Sequence, residues 1–168
     1  MLFVLATRLL PPISAVVPLF MVMNSLRLID TYWVLLLIYT ALNVPFSTWL
    51  LKSFIDAVPK DLEESAQVEG CSTIQALWHV ILPSVAPGLA ATAVFVFVLS
   101  WNEFMFAFIF TSIDVRTMPV LLAEARGEGQ FLWQDMAAQS TILMIPALLL
   151  GLYLQRYLVK GLTAGAIK

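Results

Sequence analysis

Uncharged stretches divide the chain into four apolar blocks. Leu9 to Leu26 carries no charge between Arg8 and Arg27, and the apolar run Leu2–Ala6 extends it backwards. After a short polar turn, Arg27-Leu28-Ile29-Asp30, the stretch from Thr31 to Leu51 is uncharged up to Lys52. Val80 to Asn102 continues through Phe104 to Ile113 with Glu103 as its one charge, and Pro87-Gly88 marks where a helix begins. Met136 to Gln155 is uncharged and is closed by Arg156 and Lys160. A spanning helix needs about 20 apolar residues. The pattern therefore predicts spans over about 2–25, 31–51, 87–110 and 136–156, with both chain ends on one side. Pro11, Pro12, Pro18, Pro45 and Pro146 fall inside them, so kinked helices are expected.

Composition agrees with this reading. The chain is 61% apolar and 12% charged over 168 residues, against roughly 45–50% and 25% in soluble domains. The fold class is all-α, a polytopic membrane helix bundle. Its net charge of −2 leaves no basic footprint for nucleic acid. The one cysteine, Cys71, has no internal partner and the one histidine, His79, no companions for a metal cage. MLFVLATRLLPP lacks the basic start and small-residue cleavage site of a signal peptide and reads as the beginning of a span. Lys52, Lys60, Arg156, Lys160 and Lys168 outnumber Arg27, Arg116 and Arg126 across the spans, which puts the 56–84 loop and the carboxyl end in the cytoplasm.

That loop carries its own helical signals. Asp61 with Glu64 three residues on has capping-box spacing, Gly70 can turn at positive φ, and Ser72 with Gln75 repeats the cap. A helix from Asp61, a glycine turn and a second helix from Ser72 to Ile81, ended by Leu82-Pro83, are predicted. Asp61, Glu63, Glu64 and Glu69 give the first helix an acidic face that an anionic lipid surface would repel, so the unit is expected to dock on protein.

Glu64-Ser65-Ala66-Gln67-Val68-Glu69-Gly70-Cys71, followed by Ile81-Leu82-Pro83 and Pro87-Gly88, resembles the EAA motif of ABC-transporter permease subunits. Ser100-Trp101-Asn102-Glu103-Phe104, the ending from Gln155 to Ala166, and Arg8-Leu9-Leu10-Pro11-Pro12 with Val17-Pro18-Leu19-Phe20 are similar to the carbohydrate-uptake, maltose-transporter-like branch with the inner-subunit architecture. Ser65, Glu69, Cys71 and Leu77 depart from the usual alanine, aspartate, alanine and phenylalanine, and the aromatic stands one place later as Trp78. Members carry six spans and the resemblance begins at the third, so a chain lacking the first two is expected.

The resemblance implies that Glu64, Ser65, Ala66, Glu69, Gly70, Leu82 and Pro83 couple the chain to a cytoplasmic ATPase, with Glu64 and Ala66 facing its groove. It also implies a second permease subunit, two ATPase subunits, an extracytoplasmic sugar-binding protein and a sugar substrate, in a bacterial or archaeal cytoplasmic membrane. The chain has no GxxxxGK[ST] loop, so ATP and Mg belong to the partner and the chain is not an enzyme. Glu103 lies about 24 Å along a helix from Pro87. A carboxylate at that depth costs about 2.5–3.5 kcal/mol and should face the bundle or a cavity. With Trp101 and Asn102 it fits either a sugar pathway or, the preferred reading, hydrogen bonds between helices. The 111–135 loop is read as polar, external and mobile at its glycines. Within it Glu124, Arg126, Gly127, Glu128 and Gly129 are the expected contact for the binding protein. A non-transporting remnant and a small stand-alone carrier are the alternatives.

Overall fold

The computed structural model describes the backbone of residues 11–127, 130–131 and 133–164, and the side chains among these up to residue 125 and from 133 to 153. A 3-10 turn, Pro12–Ala15, leads into α1 (Val16–Ser25), and α2 (Tyr32–Asp56) follows. A hairpin of α3 (Lys60–Val68) and α4 (Thr73–Ser84) then meets α5 (Ala86–Trp101) at a bend of 71°. Beyond come α6 (Met105–Phe110), α7 (Met118–Glu124), a hairpin of two two-residue strands, β1 (Arg126–Gly127) and β2 (Gln130–Phe131), and α8 (Trp133–Ala164).

The helical bundle is as expected, and α2 and the Trp133–Tyr153 part of α8 are long and apolar enough to cross a membrane. The block expected at 2–25 gives a short apolar helical stretch over 12–25, its first residues lying outside the described ones. The block expected as one helix over 87–110 is two, α5 and α6, separated at Asn102–Phe104. The 111–135 loop, read as mobile, holds α7 and the β hairpin. Thr117 is extended and Pro119 sits in the first turn of α7, where its missing N–H has no helical partner in any case. At the other end α8 continues past residue 156 to Ala164.

α5 packs between α2 and α8, and small residues allow the approach. Gly88, Ala91 and Thr92 are the buried positions of α5, and a Cβ on Gly88 would stand 2.3 Å from the Phe54 ring of α2. At the end remote from the α3–α4 hairpin, Val34, Leu35 and Ile38 of α2 form a core with Phe106, Ala107 and Phe110 of α6, closed by Val16, Val115 and Val120.

Candidate functional site

The α3–α4 hairpin is built by local rules. α3 starts at Lys60 after Pro59, with no side-chain cap, so the cap expected at Asp61 is not formed. Asp61 and Glu63 lie instead in the first turn, where the exposed N–H dipoles favour negative charge. At the other end Gly70 takes φ +90°. The N–H groups of Gly70 and Cys71 donate to the carbonyls of Gln67 and Ala66, both at 3.0 Å, the pairing that closes a helix around a left-handed residue. Ser72 and Gln75 form the expected capping box. The Ser72 N–H donates to Gln75 Oε1 at 2.9 Å, and the Gln75 N–H donates to Ser72 Oγ at 3.4 Å.

α4 does not end at Leu82-Pro83. It widens into a π turn over Leu77–Ile81, where the Leu82 N–H reaches back five residues to Leu77, and runs on through Pro83 to Ser84. The wider turn relocates the hydrogen bonding next to a residue that has no N–H to give. Glu64, Ser65, Glu69 and Gly70 are exposed. Ala66, 5% exposed, and Ala76 are buried where α3 meets α4. The expectation that Ala66 faces outward is thereby corrected: its lack of side chain serves the closeness of the two helices. Leu82 is half-buried and Pro83 exposed at the junction. Val68, Ile74 and Trp78 are exposed as well, so the surface of the hairpin carries both acid groups and large apolar ones.

Trp101, Asn102 and Glu103 diverge where the third block breaks. The Trp101 indole stacks on Phe97, and its Nε1–H donates to the Leu143 carbonyl of α8 at 3.0 Å. Asn102 caps α5, its Nδ2 donating to Val98 O at 2.8 Å. The Glu103 carboxylate accepts the N–H groups of Phe106 at 2.9 Å and Ala107 at 3.1 Å, which start α6, and the Tyr39 hydroxyl of α2 at 3.1 Å. One turn nearer the hairpin, Asn43 Nδ2 donates to Ser100 Oγ at 3.0 Å. A cavity of about 520 Å³ between α1, α2 and the start of α6 is lined by Leu19, Met23, Tyr39, Asn43 and Glu103 among others. Neither Trp101 nor Asn102 reaches it.

At the remote end the polar turn contains a residue whose importance the sequence hid. Asp30, at φ 60°, accepts the four successive backbone N–H groups of 112–115 on its carboxylate, at 2.7–3.1 Å. Its own N–H donates to Phe110 O at 2.9 Å. The Asp114 and Ser112 amides lead the bonds that hold the Asp30 carboxyl well below the usual carboxylate range. Its partners lie more than 80 residues away, and the one available signal was a lone acid in a turn between apolar blocks. Glu124 forms an ion pair with Arg116 inside the same loop. Arg126 and Gly127 lie on β1, while Glu128 and Gly129 are outside the described residues. Among the described residues no cluster of His, Cys, Asp and Glu has the makings of a metal site.

Comparison with known proteins accounts for a permease-like architecture of this kind. Residues 1–164 match the family described as "Binding-protein-dependent transport system inner membrane component". The trehalose/maltose transport system permease protein MalG of Thermococcus litoralis is 43% identical over 99% of this chain and 61% of its own length. The trehalose transport system permease protein SugB of Mycobacterium tuberculosis is 36% identical over 98% and 61%, and the diacetylchitobiose uptake system permease protein DasC of Streptomyces coelicolor 38% over 91% and 56%. The chain thus spans about three-fifths of the length of these curated relatives. Their names are those of sugar-transport permeases, and the match runs through the hairpin, the broken span and α8 alike. The chain belongs to the family of inner membrane components of binding-protein-dependent transport systems.

Proposed function

We propose that the chain acts as a permease subunit of an ABC importer for a sugar, with its α3–α4 hairpin as the element through which a cytoplasmic ATPase moves the spans. The observation that carries this reading is the hairpin itself: a compact unit, turned at Gly70, fixed by a capping box, and joined to α5 at a steep angle with acid and apolar groups outward. Glu64, Ser65, Glu69 and Gly70 form its docking surface, Ala66 holds its helices together, and Leu82 and Pro83 form the joint. In this reading the hairpin and the carboxyl end are cytoplasmic, and ATP and Mg are bound by two ATPase partners.

The opposite loop, Glu124 to Gly129, meets the extracytoplasmic binding protein, and a second permease completes the pathway. Trp101 and Asn102 tie helices together, leaving Glu103 as the one of the three on the cavity. The names of the relatives, which specify trehalose, maltose and diacetylchitobiose, support a sugar as the cargo.

Gly70→Pro tests the reading. The proline ring confines φ to negative values and cannot take +90°, and Gly70 is exposed, so the turn fails while the spans remain. In the complex expressed with its ATPase and companion permease, sugar uptake and uptake-linked ATP hydrolysis should be lost with membrane insertion unchanged. Normal uptake by this variant would overturn the proposal.

A further inference from the structure

The third apolar block is two pieces, both packed on α2, of which α5 is also fastened to α8. α5 is held to α8 by the Trp101 indole on Leu143 O, and to α2 by the contact of Gly88 with Phe54 and by Asn43 on Ser100. α6 is held to α2 at its start and to the turn before α2 at its finish. Glu103, at its start, joins Tyr39, while the Phe110 carbonyl at its finish accepts the Asp30 N–H. Between these points Phe106, Ala107 and Phe110 are buried in the core shared with Val34, Leu35 and Ile38. Asn102 to Phe104 join the pieces without helical continuity, and Glu103 takes over two N–H groups that a continuous helix would have satisfied internally.

The other two long helices are weakened at the same level. Ser100 reaches Asn43, two residues from Pro45 of α2, and Trp101 reaches Leu143, three residues from Pro146 of α8. Each proline removes a backbone donor. Ser47 and Thr48 donate their hydroxyls to the carbonyls of Asn43 and Val44, a pattern that eases bending beside Pro45.

We propose that Asn102–Phe104 is a hinge and that Glu103 is the positioning residue that assigns α6 to α2. α6 and the loop beyond it then travel with the remote half of α2, while α5 turns with the α3–α4 hairpin about its own tie to that half, the Asn43–Ser100 bond. The proposal rests on the permease reading for its use in transport, though not for the clamp itself. The carboxylate suits the task because one group bonds both a helix start and a neighbouring helix, leaving little polar surface to expose when the angle at the break changes.

The chain has a single cysteine, so Cys71→Ser gives a background for spin labels at chosen pairs. Phe108 with Ala93 spans the break, and Phe108 with Trp33 lies on one side of it; all three side chains are exposed, and Phe108 lies outside the segment that Asp30 holds. In the complex with its ATPase and companion permease in lipid nanodiscs, ATP trapping should shift the Phe108–Ala93 distance and leave Phe108–Trp33 unchanged. Glu103→Ala should broaden the Phe108–Trp33 distribution in the resting state, and Glu103→Gln, which keeps an acceptor, should restore a narrow one. An unbroadened Phe108–Trp33 pair in Glu103→Ala, or both pairs shifting together on trapping, overturns the proposal. Absence of sugar uptake by the unlabelled complex, with the Glu103→Ala broadening present, would instead sink the transport reading and leave the clamp standing.

Discussion

The two ends of the bundle are held together by different means. At the end remote from the α3–α4 hairpin, large side chains fill a core, with Val34 and Phe110 fully buried, and Asp30 stitches the turn before α2 to the segment after α6. Towards the hairpin end the contacts rest on small residues, Gly88, Ala91 and Thr92 of α5, and large apolar side chains of α8 such as Ile142, Leu148, Leu149 and Leu152 stay exposed. In lipid an exposed leucine costs little, so packing closeness and hydrogen bonds decide what associates. One end has a core of large side chains from its own chain, although Tyr32, Trp33 and Ile113 stay exposed there; the other rests on small residues and presents a longer apolar surface along α8.

Phe110→Ala should be the most damaging single change. Lipid tails are as apolar as the ring, so the loss comes mainly from the void, and the lower part of the range of about 3–5 kcal/mol for such truncations is expected. Thermal unfolding in nanodiscs measures it, and a loss no greater than that of an α8 surface variant would erase the contrast between the ends. Gly88→Val attacks the other end by overfilling it. The Cβ alone meets the Phe54 ring, and a cost of about 1–3 kcal/mol is expected, with separation of α5 from α2 visible by cross-linking between them.

Asp30 offers a test by pH. Its carboxyl titrates below the ordinary value, so the tie is complete above about pH 4 and is lost as pH falls through the depressed value. Protease cleavage at Arg116, taken relative to an unstructured peptide cut at the same pH, should therefore stay constant from pH 8 to 5 in the parent chain and be faster throughout that interval in Asp30→Asn. Equal rates in the two would remove the stitch from the account. Ser72→Ala should cost about 1 kcal/mol, confined to the hairpin and read by hydrogen exchange of the Thr73–Ala76 amides. Leu148→Ala, on the exposed face of α8, should change the stability of the isolated chain by no more than about 0.5 kcal/mol. A large loss there would show that α8 is already packed against something.

What was legible in the sequence was local. Gly70, Ser72 and Gln75 announce the turn and the cap because each acts on residues within three or four positions. The start of α2 follows from the polar turn before it, whereas its end does not: the helix runs through Lys52, the charge expected to close it at 51, to Asp56. The break after Trp101 was hidden because no glycine or proline marks it and the hydrophobic run continues. A side chain redirects the backbone bonds there, and the hint was an Asn-Glu pair inside an apolar block. Thr117-Met118-Pro119 has the pattern of a helix start, an extended residue followed by a first-turn proline, inside a stretch whose charges and glycines predict a loop. Asp30 was beyond reach, because the N–H groups that define its role come from residues more than 80 positions further along the chain. Ala66 was read by size, and burial alone tells which neighbour the size serves.

The 71° bend between α4 and α5 has a mechanical corollary. A pull directed along the α4 axis meets α5 at a steep angle, so it arrives mainly as torque about the junction at Val85 and only in lesser part as thrust along the span. A stiff rod so driven tilts before it slides. The shortness of α4 then sets the gearing: a small sweep at its tip becomes a rotation carried along the whole of α5.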